Sequence, residues 1–217
     1  MKIFISHHHE YKMEAGTIKS YLEKEYGLSV FLAHEDITPT EDWERVIIRE
    51  LESCDVFIAL LTGMFKMSNW TSQEVGFVLG RNIYIIPVKI SQDPYGFISR
   101  IQAFKIDEQN LYESCKKIAK LISLRDDLKE DFLNSLIGVF KDTFSFVRAK
   151  VTIDLLLDYK DEYSLLQKNK IISIASENPQ IYGCFVAVRK LKEFVKANES
   201  GLDPNKVSEF MGKAKES

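Results

Sequence analysis

The sequence has no apolar run long enough to span a bilayer, no leading hydrophobic segment of the signal-peptide type and no surplus of positive charge. Its 29 Lys and Arg against 32 Asp and Glu leave a net charge of −3, so bulk electrostatics would not gather nucleic acid or anionic lipid. Only three cysteines occur, Cys54, Cys115 and Cys184. Their odd number and wide spacing argue against a disulfide framework and suit free thiols in a reducing compartment. Zinc-type spacing is missing, and no Gly/Ser-rich stretch marks a linker. These absences predict a cytoplasmic protein with neither nucleic acid nor membrane as a partner. What is present is apolar residue, 45% of 217, enough to bury a core in one large domain or two small ones.

The first half alternates short apolar runs with amphipathic stretches, the pattern of an α/β sheet. Lys2–Ser6 and Leu28–Leu32 are strand candidates, separated by a helix over Glu14–Tyr26 that puts Ile18, Tyr21 and Leu22 on one face and stops at Gly27. Asp42–Ser53 turns Trp43, Val46, Ile47 and Leu51 to one side and Glu44, Arg45, Arg49 and Glu52 to the other. Val56–Leu61 and Ile83–Ile90 are apolar without alternation, the mark of strands covered on both faces in a parallel sheet. Gln102–Ile106 is a weaker edge candidate, and Leu111, Cys115, Ile118, Ala119 and Ile122 line a closing helix. Five strands with connecting helices predict a doubly wound, flavodoxin-like parallel sheet, whose ligands collect beyond the carboxyl ends of the strands.

Past about residue 124 the texture becomes helical throughout, and no strand is needed. Helical stretches are expected over 128–149, 151–158, 163–176 and 180–197, with Pro179 and the sequence Gly201-Leu202-Asp203-Pro204 as breaks. The expected organisation is an α/β domain over 1–124 followed by a small all-α domain over 125–217. Charged stretches such as RKLKEF and NKVSEFMGKAKES read as solvated faces.

Residues 68–76, SNWTSQEVG, place a carboxylate on an unexpected side of a helix. At about 100° per residue, with Trp70 at zero, Glu74 falls near ~40°, Val78 near ~80° and Val75 near ~140°. The glutamate therefore lies inside the apolar arc. Ser68 or Asn69 can cap this helix, and its positive end favours the ionised carboxylate, while burial opposes ionisation. A carboxylate so placed serves either a structural bond to a neighbouring loop or a chemical role.

Taken together and in order, KIFISH, VFLAHEDITPTEDW, CDVFIALLT, SNWTSQEVG and IIPVKI resemble a Toll/interleukin-1 receptor (TIR) domain of the bacterial and archaeal branch, over roughly residues 1–122. The resemblance implies a flavodoxin-like TIR fold and, in many members, cleavage of NAD at the bond between nicotinamide and ribose. The catalytic glutamate of those members follows a tryptophan by four residues, which matches Trp70 and Glu74. One carboxylate suffices there, because departure of nicotinamide leaves oxocarbenium character that an anion stabilises. The product is ADP-ribose with water as acceptor, or a cyclic isomer with internal attack. NAD is then the substrate, and no cofactor is implied.

AHEDITPTEDW resembles the family's BB loop, which covers the nucleotide and mediates self-association. Thr40 stands where members often have glycine, and Ala33 where some active members have aspartate, so Glu35 or Asp36 would take that part. Trp43 matches an aromatic that can stack on substrate, and is equally placed to be core. The loop after the first strand brings Phe4, Ser6 and His7 toward the nucleotide. The adjacent His7, His8 and His9 diverge in an extended or turning loop, so no metal site is expected. The resemblance thus implies an NAD-consuming enzyme of the antiphage-defence (Thoeris-like) type that works by self-assembly and signals to a second TIR or effector protein. Two other readings are a non-catalytic TIR scaffold and a nucleoside deoxyribosyltransferase with a similar sheet.

Overall fold

The computed structural model describes residues 1–32 and 42–214, and its contacts divide the chain into two compact units, 1–132 and 133–217. In the first unit five parallel strands, β1 (Lys2–Ser6), β2 (Ser29–Leu32), β3 (Val56–Leu61), β4 (Tyr84–Lys89) and β5 (Phe104–Lys105), form one sheet in the order β2-β1-β3-β4-β5. This is the flavodoxin-like order. The chain steps from β1 outward to β2, then returns past β1 to lay down β3, so the topological switch point lies between β1 and β3. Register pairs Ser6, the last residue of β1, with Ala59 of β3.

Burial explains the unbroken apolar runs. All six residues of β3 are buried, because helices cover both faces of the sheet. Proline within β4 is compatible with an inner strand because β5 joins only from Val88 onward, so Pro87 stands before that ladder begins. The helices lying wholly in this unit are α1 (Lys12–Tyr26), α2 (Trp43–Ser53), α3 (Gly63–Met67), α4 (Asn69–Gly80) and α5 (Leu111–Ser123). Gly27 ends α1 at φ 66°, a left-handed conformation that a side chain would strain. Phe4, Phe57, Phe65, Ile47, Leu51, Val75 and Val78 share one buried cluster that joins β1 and β3 to α2, α3 and α4.

The rest of the described chain is helical: α6 (Asp126–Lys141), α7 (Phe146–Leu157), α8 (Leu165–Glu177), α9 (Pro179–Tyr182), α10 (Phe185–Ala197) and α11 (Pro204–Lys213). The single helix expected over 128–149 is two, broken where Ser145 turns extended and caps α7 by accepting from the Arg148 N–H at 3.2 Å. The amide of Asn178 then donates to the carbonyls of Lys141 and Thr143 at 3.0 and 2.8 Å, satisfying acceptors that the end of α6 leaves open. The expected helix over 180–197 is likewise two, α9 and α10. Asp203 and Pro204, expected only as a break, are the cap and first residue of α11. Cys54, Cys115 and Cys184 are free and buried. No helix among the described residues is long and apolar enough to cross a membrane.

The buried cluster sets an expectation for stability. Phe57→Ala removes a fully buried ring that stacks on Phe4 at 5.6 Å, and should destabilise the chain by about 3–5 kcal/mol. Met67→Ala, at an exposed position, should change it by less than about 0.5 kcal/mol. Urea unfolding of the two variants measures the contrast.

Candidate functional site

The carboxyl end of β1 and the first turns of α4 meet at the switch point. Ser6 is fully buried there, and its hydroxyl donates to the carboxylate of Glu74, 68 residues away. Glu74 is only 5% exposed. Burial pushes its carboxyl up from the ordinary 4.5 to about 7, against the opposing pull of the Ser6 hydrogen bond. The helix dipole adds little, because Glu74 is the sixth residue of α4 and the effect fades within the first turn.

Why the helix presents a glutamate inward is legible in its own sequence and anchoring. The buried residues of α4 are Thr71, Glu74, Val75 and Val78. On the wheel they occupy one arc, from about 40° to about 140°, with Trp70 at its rim. Ser68 caps the helix by accepting from the Thr71 N–H at 3.4 Å, and the Thr71 hydroxyl donates to the Phe65 carbonyl at 2.5 Å. Thr62 caps α3 in the same way, accepting from the Phe65 N–H at 2.9 Å. These bonds tie β3, α3 and α4 into one corner. Val75 and Val78 then pack with Ile47 and Leu51 of α2, which sets the rotation of α4 about its axis.

The two tryptophans stand at the margin of this arrangement. Trp43 is 44% exposed and Trp70 is 38% exposed, and their rings meet edge to face at 4.4 Å and 67°. Such a pair offers an apolar wall to a planar ligand. Trp70 and Glu74 are one helical turn apart on neighbouring rows of α4.

Of the residues that the sequence singles out, the structure joins Ser6 to Glu74 and Trp43 to Trp70. Phe4 lies wholly inside the core, stacked on Phe57 and tilted against Phe31 at 5.3 Å. His7 is buried directly after Ser6. Asp36 lies outside the described residues, as do Ala33, Glu35 and Thr40. The anchoring part of Thr71 is absent from the sequence reading, although its place in the inward arc between Trp70 and Glu74 is a usable signal. Cysteine chemistry is disfavoured, since burial pushes the thiols of Cys54 and Cys115 up to about 12.

A buried carboxyl that changes charge near neutrality, held by one hydroxyl on the helix that also carries Trp70, can stabilise a developing cation or exchange a proton with a bound substrate. In comparison with known proteins, the family model described as TIR domain matches residues 3–122. No curated protein matches the chain. A crystal structure of the TIR domain of the Toll-related receptor TRR-2 from Hydra magnipapillata is similar at 14% identity and a TM-score of 0.45. That match covers 55% of this chain and 94% of that one.

The raised carboxyl has a measurable signature. The native state keeps a proton that the unfolded chain releases, so stability falls as pH climbs from about 4.5 to about 7 and stays low above that. The difference amounts to roughly 3 kcal/mol. Glu74→Gln abolishes the titration. Its melting temperature should gain on the native protein at pH 8 and lose that advantage at pH 4, and equal differences at both pH values would refute the shift.

Proposed function

The chain belongs to the TIR-domain family, whose match runs through residues 3–122, and from that premise we propose that it cleaves NAD at the bond between nicotinamide and ribose with Glu74 as catalytic group. The observation that carries this reading is the buried Glu74 carboxyl, bonded by Ser6 at the carboxyl end of the sheet on the helix that also bears Trp70. It also rests on the resemblance of Trp70 and Glu74 to the tryptophan and glutamate of the family's NAD-consuming members.

In this reading the ionised Glu74 faces the ribose. Nicotinamide leaves with the electrons of its bond to the sugar, and the positive charge that grows on the ribose carbon and ring oxygen is met by the carboxylate. Ser6 holds the carboxylate in one orientation and lowers the energy of its charged form. Trp43 and Trp70 wall the nicotinamide side. Water or an internal nucleophile then completes the reaction, giving ADP-ribose or a cyclic isomer. By the resemblance Asp36 would contribute to substrate binding, and assembly of TIR domains would complete the site. Residues 1–124 form the catalytic domain, and 125–217 a helical domain with a separate task. The setting is the cytoplasm of a bacterial or archaeal cell, in defence against phage.

The second reading is a TIR module that assembles with another TIR surface and turns over nothing, and family membership taken alone supports it better than it supports catalysis. The exposed methionines of α3, Met64 and Met67, favour a contact surface in this unit.

The enzyme reading predicts nicotinamide release from NAD by concentrated or crowded protein. Glu74→Gln should reduce it by a factor of at least about 10²–10³. Because the ionised carboxylate is the active form, kcat/KM should rise with pH to a plateau, with a midpoint near 7. Ser6→Ala should move that midpoint upward. Release that Glu74→Ala leaves undiminished, or none under any assembly condition, leaves the scaffold reading.

A further inference from the structure

Beyond Ser6 the chain makes an abrupt change of course. His8 keeps an extended backbone, φ −83° and ψ 148°, and His9–Tyr11 wind into a single 3-10 turn, closed by the Tyr11 N–H donating to the His8 carbonyl at 2.9 Å. An unbroken strand would send successive side chains to opposite faces. The change from extended to helical backbone folds them to the same side instead. A ring nitrogen of His8, a ring nitrogen of His9 and a carboxylate oxygen of Glu10 all lie within 4.8 Å of one another. The His8 Nδ1 and the Glu10 carboxylate are 3.6 Å apart, and the two imidazole centroids are 4.1 Å apart at 48°.

We infer that His8, His9 and Glu10 form a binding site for a borderline divalent transition metal of the Zn²⁺ class. Ligands about 2.0–2.2 Å from a tetrahedral ion stand roughly 3.4 Å from each other. The separation of His8 from Glu10, 3.6 Å, is already close to that requirement. The two separations that involve His9 are no more than 4.8 Å and close by at most about 1.4 Å of side-chain movement. His8 is largely buried and fixes one ligand, whereas His9 and Glu10 are exposed and can swing onto the ion. Two imidazoles and one carboxylate suit Zn²⁺, Co²⁺ or Ni²⁺, and are a poor set for Mg²⁺ or Ca²⁺, which take oxygen ligands. Three protein ligands leave a fourth position for water or an anionic group.

His7 stays in the interior, apart from the other two histidines, and Glu10, which the sequence reading does not weigh, takes the third place. An ion here braces the loop that begins two residues after Ser6.

Calorimetric titration of the whole chain with Zn²⁺ tests this site, with the visible absorption of bound Co²⁺ as a second readout. One ion should bind per chain, with no response to Mg²⁺ or Ca²⁺. His9→Ala and Glu10→Gln change exposed residues, so both should melt like the native protein without metal. Each should bind Zn²⁺ about tenfold or more weakly, since losing even an outer partner of a ligand costs ~10–100-fold. Absence of saturable Zn²⁺ binding to the native chain, or equal binding by both variants, overturns the inference.

Discussion

One hydrogen bond, from the Ser6 hydroxyl to the Glu74 carboxylate, is the contact on which the site depends. A carboxyl in apolar surroundings is stable only with a donor, and the donor here comes from a strand end whose position the sheet dictates. β1 is held on both sides, by β2 and by β3, so Ser6 has little freedom to retreat. Glu74 must therefore be brought to it. That task falls to the corner of hydroxyl and backbone bonds around Thr62, Phe65, Ser68 and Thr71, and to the packing of Val75 and Val78. The apolar cluster stabilises the fold and, by its burial, keeps the acid near the border between charged and neutral.

The sheet was readable because parallel strands covered on both faces are continuous apolar runs. Val56–Leu61 and Lys2–Ser6 agree residue for residue, while other ends differ by a residue or two, where backbone bonding rather than side-chain pattern decides the boundary. Single-turn helices were not readable. α3 and α9 hold five and four residues, too few to display a period. The break between α6 and α7 hid for a different reason. Phe144, Phe146 and Val147 continue the apolar texture, yet all three are exposed, and only Ser145 signals the new start.

The site was partly legible in the same sense. The inward aim of Glu74 follows from its place among Thr71, Val75 and Val78, all within one helix. Its bond to Ser6 spans 68 residues, and the meeting of Trp43 with Trp70 joins two helices. No periodicity encodes such pairings; they emerge when the order of strands brings the end of β1 against α4. The approach of His8, His9 and Glu10 arises from a turn at His8 that no side-chain pattern announces.

The sheet also limits how copies of this chain can meet. Its outer strands, β2 with four residues and β5 with two, are shorter than the three between them. Open edges so short offer few backbone groups to another chain, so strand-by-strand growth into a continuous ladder finds little template. Among the described residues, an assembly of copies would then draw on side chains rather than on a shared backbone ladder.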